Sequence, residues 1–63
     1  MFKRYIGKKV SFRIRTTKEE VSGTVKDYQD DFLLVDQVTR YGYRRDIAVH
    51  KDDISYLILR QAG

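Results

Sequence analysis

The sequence predicts an all-β fold, a small and strongly bent barrel of five strands that forms a single domain over residues 1–63. Two features support this prediction. Val, Ile and Thr, which favour strands, make up 15 of the 63 residues, whereas the helix formers Ala and Glu occur twice each. Apolar and polar residues also alternate along short segments, which turn-forming residues separate about every eight to twelve positions.

The predicted elements follow in order along the chain. Phe2, Tyr5 and Ile6 have helical spacing and Gly7 follows them, which predicts at most a short N-terminal helical turn. Alternating or continuous apolar residues then predict five strands, at residues 9–15, 21–28 and 32–38, around 47–49, and at 54–59. The last strand has apolar residues on both sides, so we expect both of its faces to be covered.

Gly23 lies inside the second predicted strand. A strand residue without a side chain permits a sharp bend or the close approach of another backbone. Bent strands are what a small closed barrel requires. Gly42, between Tyr41 and Tyr43, marks the chain reversal before the fourth strand.

Size and composition limit how this fold can be stabilised. A chain of 63 residues buries only about 60% of the surface that its unfolded form exposes. The absence of Cys excludes disulfides and thiolate metal sites, and a lone His50 cannot supply a structural zinc site, so we expect no metal or cofactor. Association into a homo-oligomer is the expected source of further stability.

The same composition bears on location and partners. The longest apolar runs are four residues, whereas a membrane-spanning helix needs roughly 20, and charged residues interrupt the N-terminal segment. We therefore expect a soluble, cytoplasmic protein with no membrane partner. A net charge of +4 and a pI near 9.6 favour a polyanionic partner.

Residues 21–36 and 47–57 form two ordered patterns. In the first, the strand glycine is followed by four apolar residues and an acid, namely Val25, Tyr28, Phe32, Leu34 and Asp36. The second, IAVHKDDISYL, contains a strand, a tight basic turn and a closing apolar strand. Together they resemble the two signatures of the Sm and Lsm family, which includes bacterial Hfq, over residues 10–59. The resemblance implies an RNA-binding ring in which the fourth strand of one subunit pairs with the fifth strand of the next.

The resemblance also implies a uridine pocket, and here the chain departs from the family. The positions of the family's acid, stacking residue and asparagine hold Gln29, Asp31 and Leu33, while His50 and Lys51 align with its arginine and glycine. Asp31 places negative charge where a base and its phosphate would approach. We therefore expect no recognition specific for uridine.

Residues 40–45, RYGYRR, form the densest basic and aromatic segment. Tyrosine rings stack on bases and arginine side chains bind phosphates. The main candidate contacts with nucleic acid are therefore Arg40, Tyr41, Tyr43, Arg44 and Arg45. The alternative is that the tyrosines pair across a hairpin while the arginines solvate its outer face.

Two further basic groups are candidates. His50 and Lys51 would line the pore of a ring of the Sm type, and outside a ring they are ordinary turn residues. Lys9, Arg13 and Arg15 alternate along the first strand and form a secondary basic face. This face is either a stripe that follows a nucleic-acid backbone or the solvated side of a strand.

The sequence gives no indication of catalysis. No nucleophile lies beside a base with an orienting group, and the acidic pairs at 30–31 and 52–53 lie in solvated turns. We therefore predict a non-catalytic protein that binds nucleic acid, RNA rather than DNA, as a homo-oligomer joined through edge strands four and five. Two alternatives remain open, a protein-interaction module and a monomeric barrel that binds duplex DNA.

Overall fold

The computed structural model describes residues 2–60, which form one antiparallel sheet of five strands. The strands are β1 (Lys9–Ile14), β2 (Glu20–Gln29), β3 (Phe32–Val38), β4 (Arg44–His50) and β5 (Ile54–Leu59). Two short 3-10 helices complete these residues, one at Phe2–Tyr5 and one at Lys51–Asp53. The all-β prediction is thus confirmed, and the N-terminal turn is the first 3-10 helix. Neither helix is long and apolar enough to cross a membrane.

The strand order is β4-β3-β2-β1-β5, and the sheet is not closed. β4 and β5 are its two edges, so a complete barrel is not formed within residues 2–60. The second 3-10 helix connects these two edge strands, and its backbone is hydrogen-bonded to the turn before β3 and to the residue after β1. The Lys51 N–H donates to the Asp31 carbonyl at 2.8 Å, and the Arg15 N–H donates to the Asp53 carbonyl at 2.8 Å.

The core lies on one face of this sheet. Its members are apolar residues from all five strands, namely Val10, Phe12, Val21, Val25, Leu33, Val35, Val49 and Ile54. Because residues 2–60 contain no second sheet, the single sheet must curve over these side chains to bury them. Phe2 and Tyr5 of the first 3-10 helix pack against the open side. Burying each of the larger side chains contributes about 1.5–3 kcal/mol.

Gly23 lies where the backbone of β3 passes close to β2. A Cβ atom at this position would lie 2.2 Å from the carbonyl oxygen of Asp36. β2 pairs with β1 through residues 20–24 and with β3 through residues 23–29, and a bulge interrupts the second pairing between Val25 and Asp27. The predicted close backbone approach at Gly23 is confirmed.

The turn between β2 and β3 consists of Asp30 and Asp31, both with a left-handed backbone (φ 53° and 68°). Two consecutive residues with positive φ are typical of the tight primed turns that connect adjacent antiparallel strands. Asp and Asn tolerate this backbone better than most residues do. The acidic pair is therefore explained by turn geometry.

β5 differs from the prediction. Ser11 pairs with Ile58 and Arg13 pairs with Ser55, so two residues of β5 lie opposite Phe12 and form a bulge. From this bulge onward, buried and exposed residues no longer alternate, and Tyr56, Ile58 and Leu59 are 80%, 54% and 49% exposed. The expectation that both faces of the last strand are covered is wrong for the single chain.

Candidate nucleic-acid interface

Residues 39–43 form the loop between β3 and β4, called here the tip loop. The Thr39 N–H donates to the Tyr43 carbonyl at 2.8 Å, and the Gly42 N–H donates to the Thr39 carbonyl at 3.0 Å. Gly42 has φ +86°, which glycine adopts without strain. The loop backbone is thus held by its own hydrogen bonds, although Tyr41 and Tyr43 remain 78% and 73% exposed. Both tyrosines lie outside the strands, so they do not form a cross-strand pair.

Arg44 and Arg45, which follow the tip loop, are bound by side chains of β3. Arg44 forms a salt bridge with the Asp36 carboxylate, and its Nε lies 3.4 Å from Asp36 Oδ1. This hydrogen-bonded pair lowers the pKa of the Asp36 carboxyl and raises the pKa of the Arg44 guanidinium. Arg45 Nε donates to Oε1 of the buried Gln37 at 2.8 Å. Both arginines are therefore positioned by the sheet.

Arg40 differs from these two arginines. It lies in the tip loop with an exposed side chain and forms no salt bridge within residues 2–60. A second ion pair, between Lys26 Nζ and Asp46 Oδ2 at 3.1 Å, lies beside the Arg44–Asp36 pair. Acids therefore offset the charges of Lys26 and Arg44, whereas Arg45 binds the neutral Gln37, and neither Arg45 nor Arg40 forms a salt bridge within residues 2–60.

His50 and Lys51 lie at the other end of β4 from the tip loop. Six strand steps separate Arg44 from His50, which places the two groups roughly 20 Å apart. His50 Nδ1 accepts the Asp52 N–H at 3.1 Å and so caps the second 3-10 helix. The His50 ring also meets the Phe32 ring edge to face, with centroids 5.1 Å apart. Both contacts are structural, and the structure does not bring this pair to the predicted tip site.

The positions that align with a uridine pocket have other roles in this chain. Leu33 is fully buried in the core, so its side chain cannot reach a base. The Asp31 carboxylate lies 3.9 Å from Lys51 Nζ and accepts a 3.5 Å hydrogen bond from the Tyr28 hydroxyl. The acid thus offsets the charge of Lys51, which reduces the ability of this turn to attract a phosphate.

The secondary basic face lies along β1. Arg13 is paired with Glu20, with Nη2 3.3 Å from Oε1, and its Cζ atom lies 5.8 Å from the centre of the Tyr56 ring. Lys9 is exposed at the start of β1, whereas Arg15 is exposed in the turn that follows, because the strand ends at Ile14, one residue earlier than predicted. Tyr56 was not among the predicted contacts, because strict alternation along 54–59 assigns it to a covered face. Only the bulge in β5 exposes it.

Comparison of the chain with protein-family models, with characterised proteins and with solved structures found no match. Within residues 2–60, no group of three or more His, Cys, Asp or Glu side chains is arranged to hold a metal ion. The function is therefore inferred from the side chains and their geometry.

Proposed function

We propose that the protein binds single-stranded nucleic acid, RNA in preference to DNA, without catalysing a reaction. The observation that carries this proposal is the exposure of Tyr41 and Tyr43, at 78% and 73%, beside Arg40, which forms no salt bridge within residues 2–60. Stacking of one base on an aromatic side chain contributes about 1–3 kcal/mol. Two exposed rings on a tight turn suit the unstacked bases of a single strand better than a base-paired duplex. The preference for RNA rests on the resemblance to the Sm and Lsm family.

We further propose that the sheet belongs to the Sm-like class of small barrels and that copies of the protein associate as a ring. The strand order, which leaves β4 and β5 as edges, supports this proposal. Pairing of β4 with β5 of a second copy would complete both edges. It would also cover Leu59, which is about half exposed in the single chain. We also propose that the protein is cytoplasmic.

Binding of labelled oligo(U), oligo(A) and duplex DNA over a series of salt concentrations tests the proposal. We expect the single strands to bind, and their affinity to fall steeply with salt because phosphate contacts release counterions. The double variant Tyr41→Ala/Tyr43→Ala should weaken binding by about tenfold or more, since it removes two stacking rings. The control Tyr41→Phe/Tyr43→Phe keeps both rings and should bind within about twofold of the wild type.

The results separate this proposal from its two alternatives. Absence of binding at low salt would contradict it and favour a protein-interaction module. Preferential binding of duplex DNA, lost when Lys9, Arg13 and Arg15 are neutralised, would favour the monomeric DNA-binding barrel. That alternative has less support, because Arg13 is already paired with Glu20.

A further inference from the structure

Tyr56 has an unusual backbone for a residue in a strand. Its φ is +56°, and it lies in the bulge opposite Phe12. Positive φ is disfavoured for an aromatic residue, and such conformations concentrate at binding sites. Here the conformation turns the Tyr56 side chain into solvent, where 80% of the residue is exposed.

Arg13 fixes one face of the Tyr56 ring. Its Cζ atom lies 5.8 Å from the ring centre, within the range of a cation–π contact. Glu20 holds Arg13 in turn, with the charged groups 3.3 Å apart. The ring is therefore oriented by a neighbour on one side, while its high exposure leaves the other face open.

Tyr56 lies between two open cavities, each of which has basic residues. A cavity of about 690 Å³ lies on one side and is lined by Arg15, Lys18 and Ser55. A second cavity of about 640 Å³ is lined by Ser11, Ser22 and Arg60 together with Arg13 and its partner Glu20. Both volumes fall within the range of about 300–1,000 Å³ that is typical of sites for small ligands. Neither Arg15 nor Lys18 forms a salt bridge within residues 2–60.

We infer that Tyr56 is a second stacking site for single-stranded nucleic acid, separate from the tip loop. One base stacks on the open face of the Tyr56 ring, and the flanking phosphates contact Arg15 and Lys18 on one side and Arg60 on the other. An anionic ligand fits because Arg15 and Lys18 of the first cavity form no salt bridge within residues 2–60, although Arg13, which also lines this cavity, is paired with Glu20. A second protein copy fits less well at this point, because a bulge interrupts the regular edge that strand pairing needs. The site goes beyond the proposed function and shares only its class of ligand.

Two variants of Tyr56 test this site with labelled oligo(A) as the probe. Tyr56→Asn removes the ring and keeps a residue that tolerates a left-handed backbone, whereas Tyr56→Phe keeps the ring. Each is made in the wild type and in the Tyr41→Ala/Tyr43→Ala variant. In both backgrounds we expect Tyr56→Asn to weaken binding about fivefold or more and Tyr56→Phe to change it by less than about twofold. Titration with AMP, followed by NMR, should shift the signals of Tyr56, Arg15 and Lys18.

Each outcome bears on one site. If the tip variant binds like the wild type while Tyr56→Asn loses affinity, the tip proposal fails and the Tyr56 site is supported. If Tyr56→Asn binds as well as Tyr56→Phe in both backgrounds, the Tyr56 site is overturned whatever the tip variant does. A change in sedimenting mass on Tyr56→Asn with unaltered oligo(A) binding would also overturn it, because the face would then contact a second copy.

Discussion

Gly23 and Gly42 both require glycine, but for different physical reasons. At Gly23 an added Cβ would lie 2.2 Å from a backbone oxygen of β3, and that oxygen belongs to a paired strand and cannot move aside freely. At Gly42 an added Cβ meets nothing within 4 Å, but φ is +86°. The first position is restricted by space and the second by backbone conformation.

These reasons predict different costs for the two alanine variants. Gly23→Ala should lower the free energy of unfolding by about 2–3 kcal/mol or more, because strands β2 and β3 must separate to admit the methyl group. Gly42→Ala should cost only about 1–2 kcal/mol, which is the penalty of a left-handed backbone for a residue with a side chain. Urea unfolding of the two variants measures both values. Equal losses would show that β2 does not approach β3 as closely as described.

Asp36 links stability to pH. The hydrogen bond from Arg44 is the main cause of its lowered pKa, and the charges of Arg44 and Lys26 act in the same direction, although desolvation opposes them. The folded-state pKa therefore lies below the ordinary value of 3.8, so the unfolded state binds the proton more readily. This contribution to stability is present above pH 3.8 and is lost as the pH falls through the folded-state pKa.

The variant Asp36→Asn should therefore be less stable than the wild type near neutral pH, and the difference should shrink as the pH falls below 3.8. Thermal unfolding at several pH values measures this difference. Asp30→Asn is the matched control, since it makes the same change in an exposed turn where Asn tolerates the left-handed backbone. A difference in stability between wild type and Asp36→Asn that stays constant with pH would contradict the lowered pKa of Asp36.

At the scale of elements, strands rich in apolar residues were the easiest to predict. The bounds of β3 and β5 agree with the prediction, those of β1 differ by one residue at one end, and those of β2 differ by one residue at each end. Apolar side chains that recur along a strand mark its position, because the core needs them. β4 was predicted only at 47–49. Its first residues, Arg44, Arg45 and Asp46, are charged and exposed, and they join the strand through pairing with β3. Backbone pairing of this kind leaves no apolar pattern in the sequence.

The candidate sites also differ in how well the sequence predicts them. The tip loop was predictable because glycine, arginine and tyrosine in one short segment mark an exposed turn. The engagement of Arg44 and Arg45 by Asp36 and Gln37 was not, since it depends on how β3 and β4 align. Tyr56 was not predictable either, because a bulge changes the side to which a residue points without changing the sequence pattern.

At the scale of the whole molecule, positive charge is divided between distinct places. Lys26 and Arg44 are paired with Asp46 and Asp36, and Arg45 binds the neutral Gln37. Within residues 2–60, Arg40 at the tip loop and Arg15 and Lys18 beside Tyr56 form no salt bridge. The exposed rings of Tyr41, Tyr43 and Tyr56 lie at the same two places. This coincidence of free cations with exposed rings is stronger support for a nucleic-acid ligand than the modest net charge of +4.

The free edge of β5 can be located from its hydrogen bonds. The Arg60 N–H donates to the Lys9 carbonyl at 2.8 Å, so this pair is hydrogen-bonded across β1 and β5. Leu59 pairs with Val10 in the next position of the ladder. Antiparallel pairs alternate between bonded and non-bonded, so the N–H and carbonyl of Leu59 point away from β1 towards the unpaired edge. The half-exposed Leu59 side chain adds an apolar contact to this edge.

These groups predict that association depends on Leu59. We expect sedimentation at micromolar concentration to give the wild type a mass several times 7.5 kDa. Leu59→Pro removes the edge N–H without removing a bond to β1, so it should shift the protein towards the monomer. Leu59→Val keeps both the donor and an apolar side chain and should sediment like the wild type. A far-UV circular dichroism spectrum unchanged by Leu59→Pro would show that association, and not folding, is lost. A monomeric wild type, or an oligomer that persists in Leu59→Pro, would contradict assembly through β5.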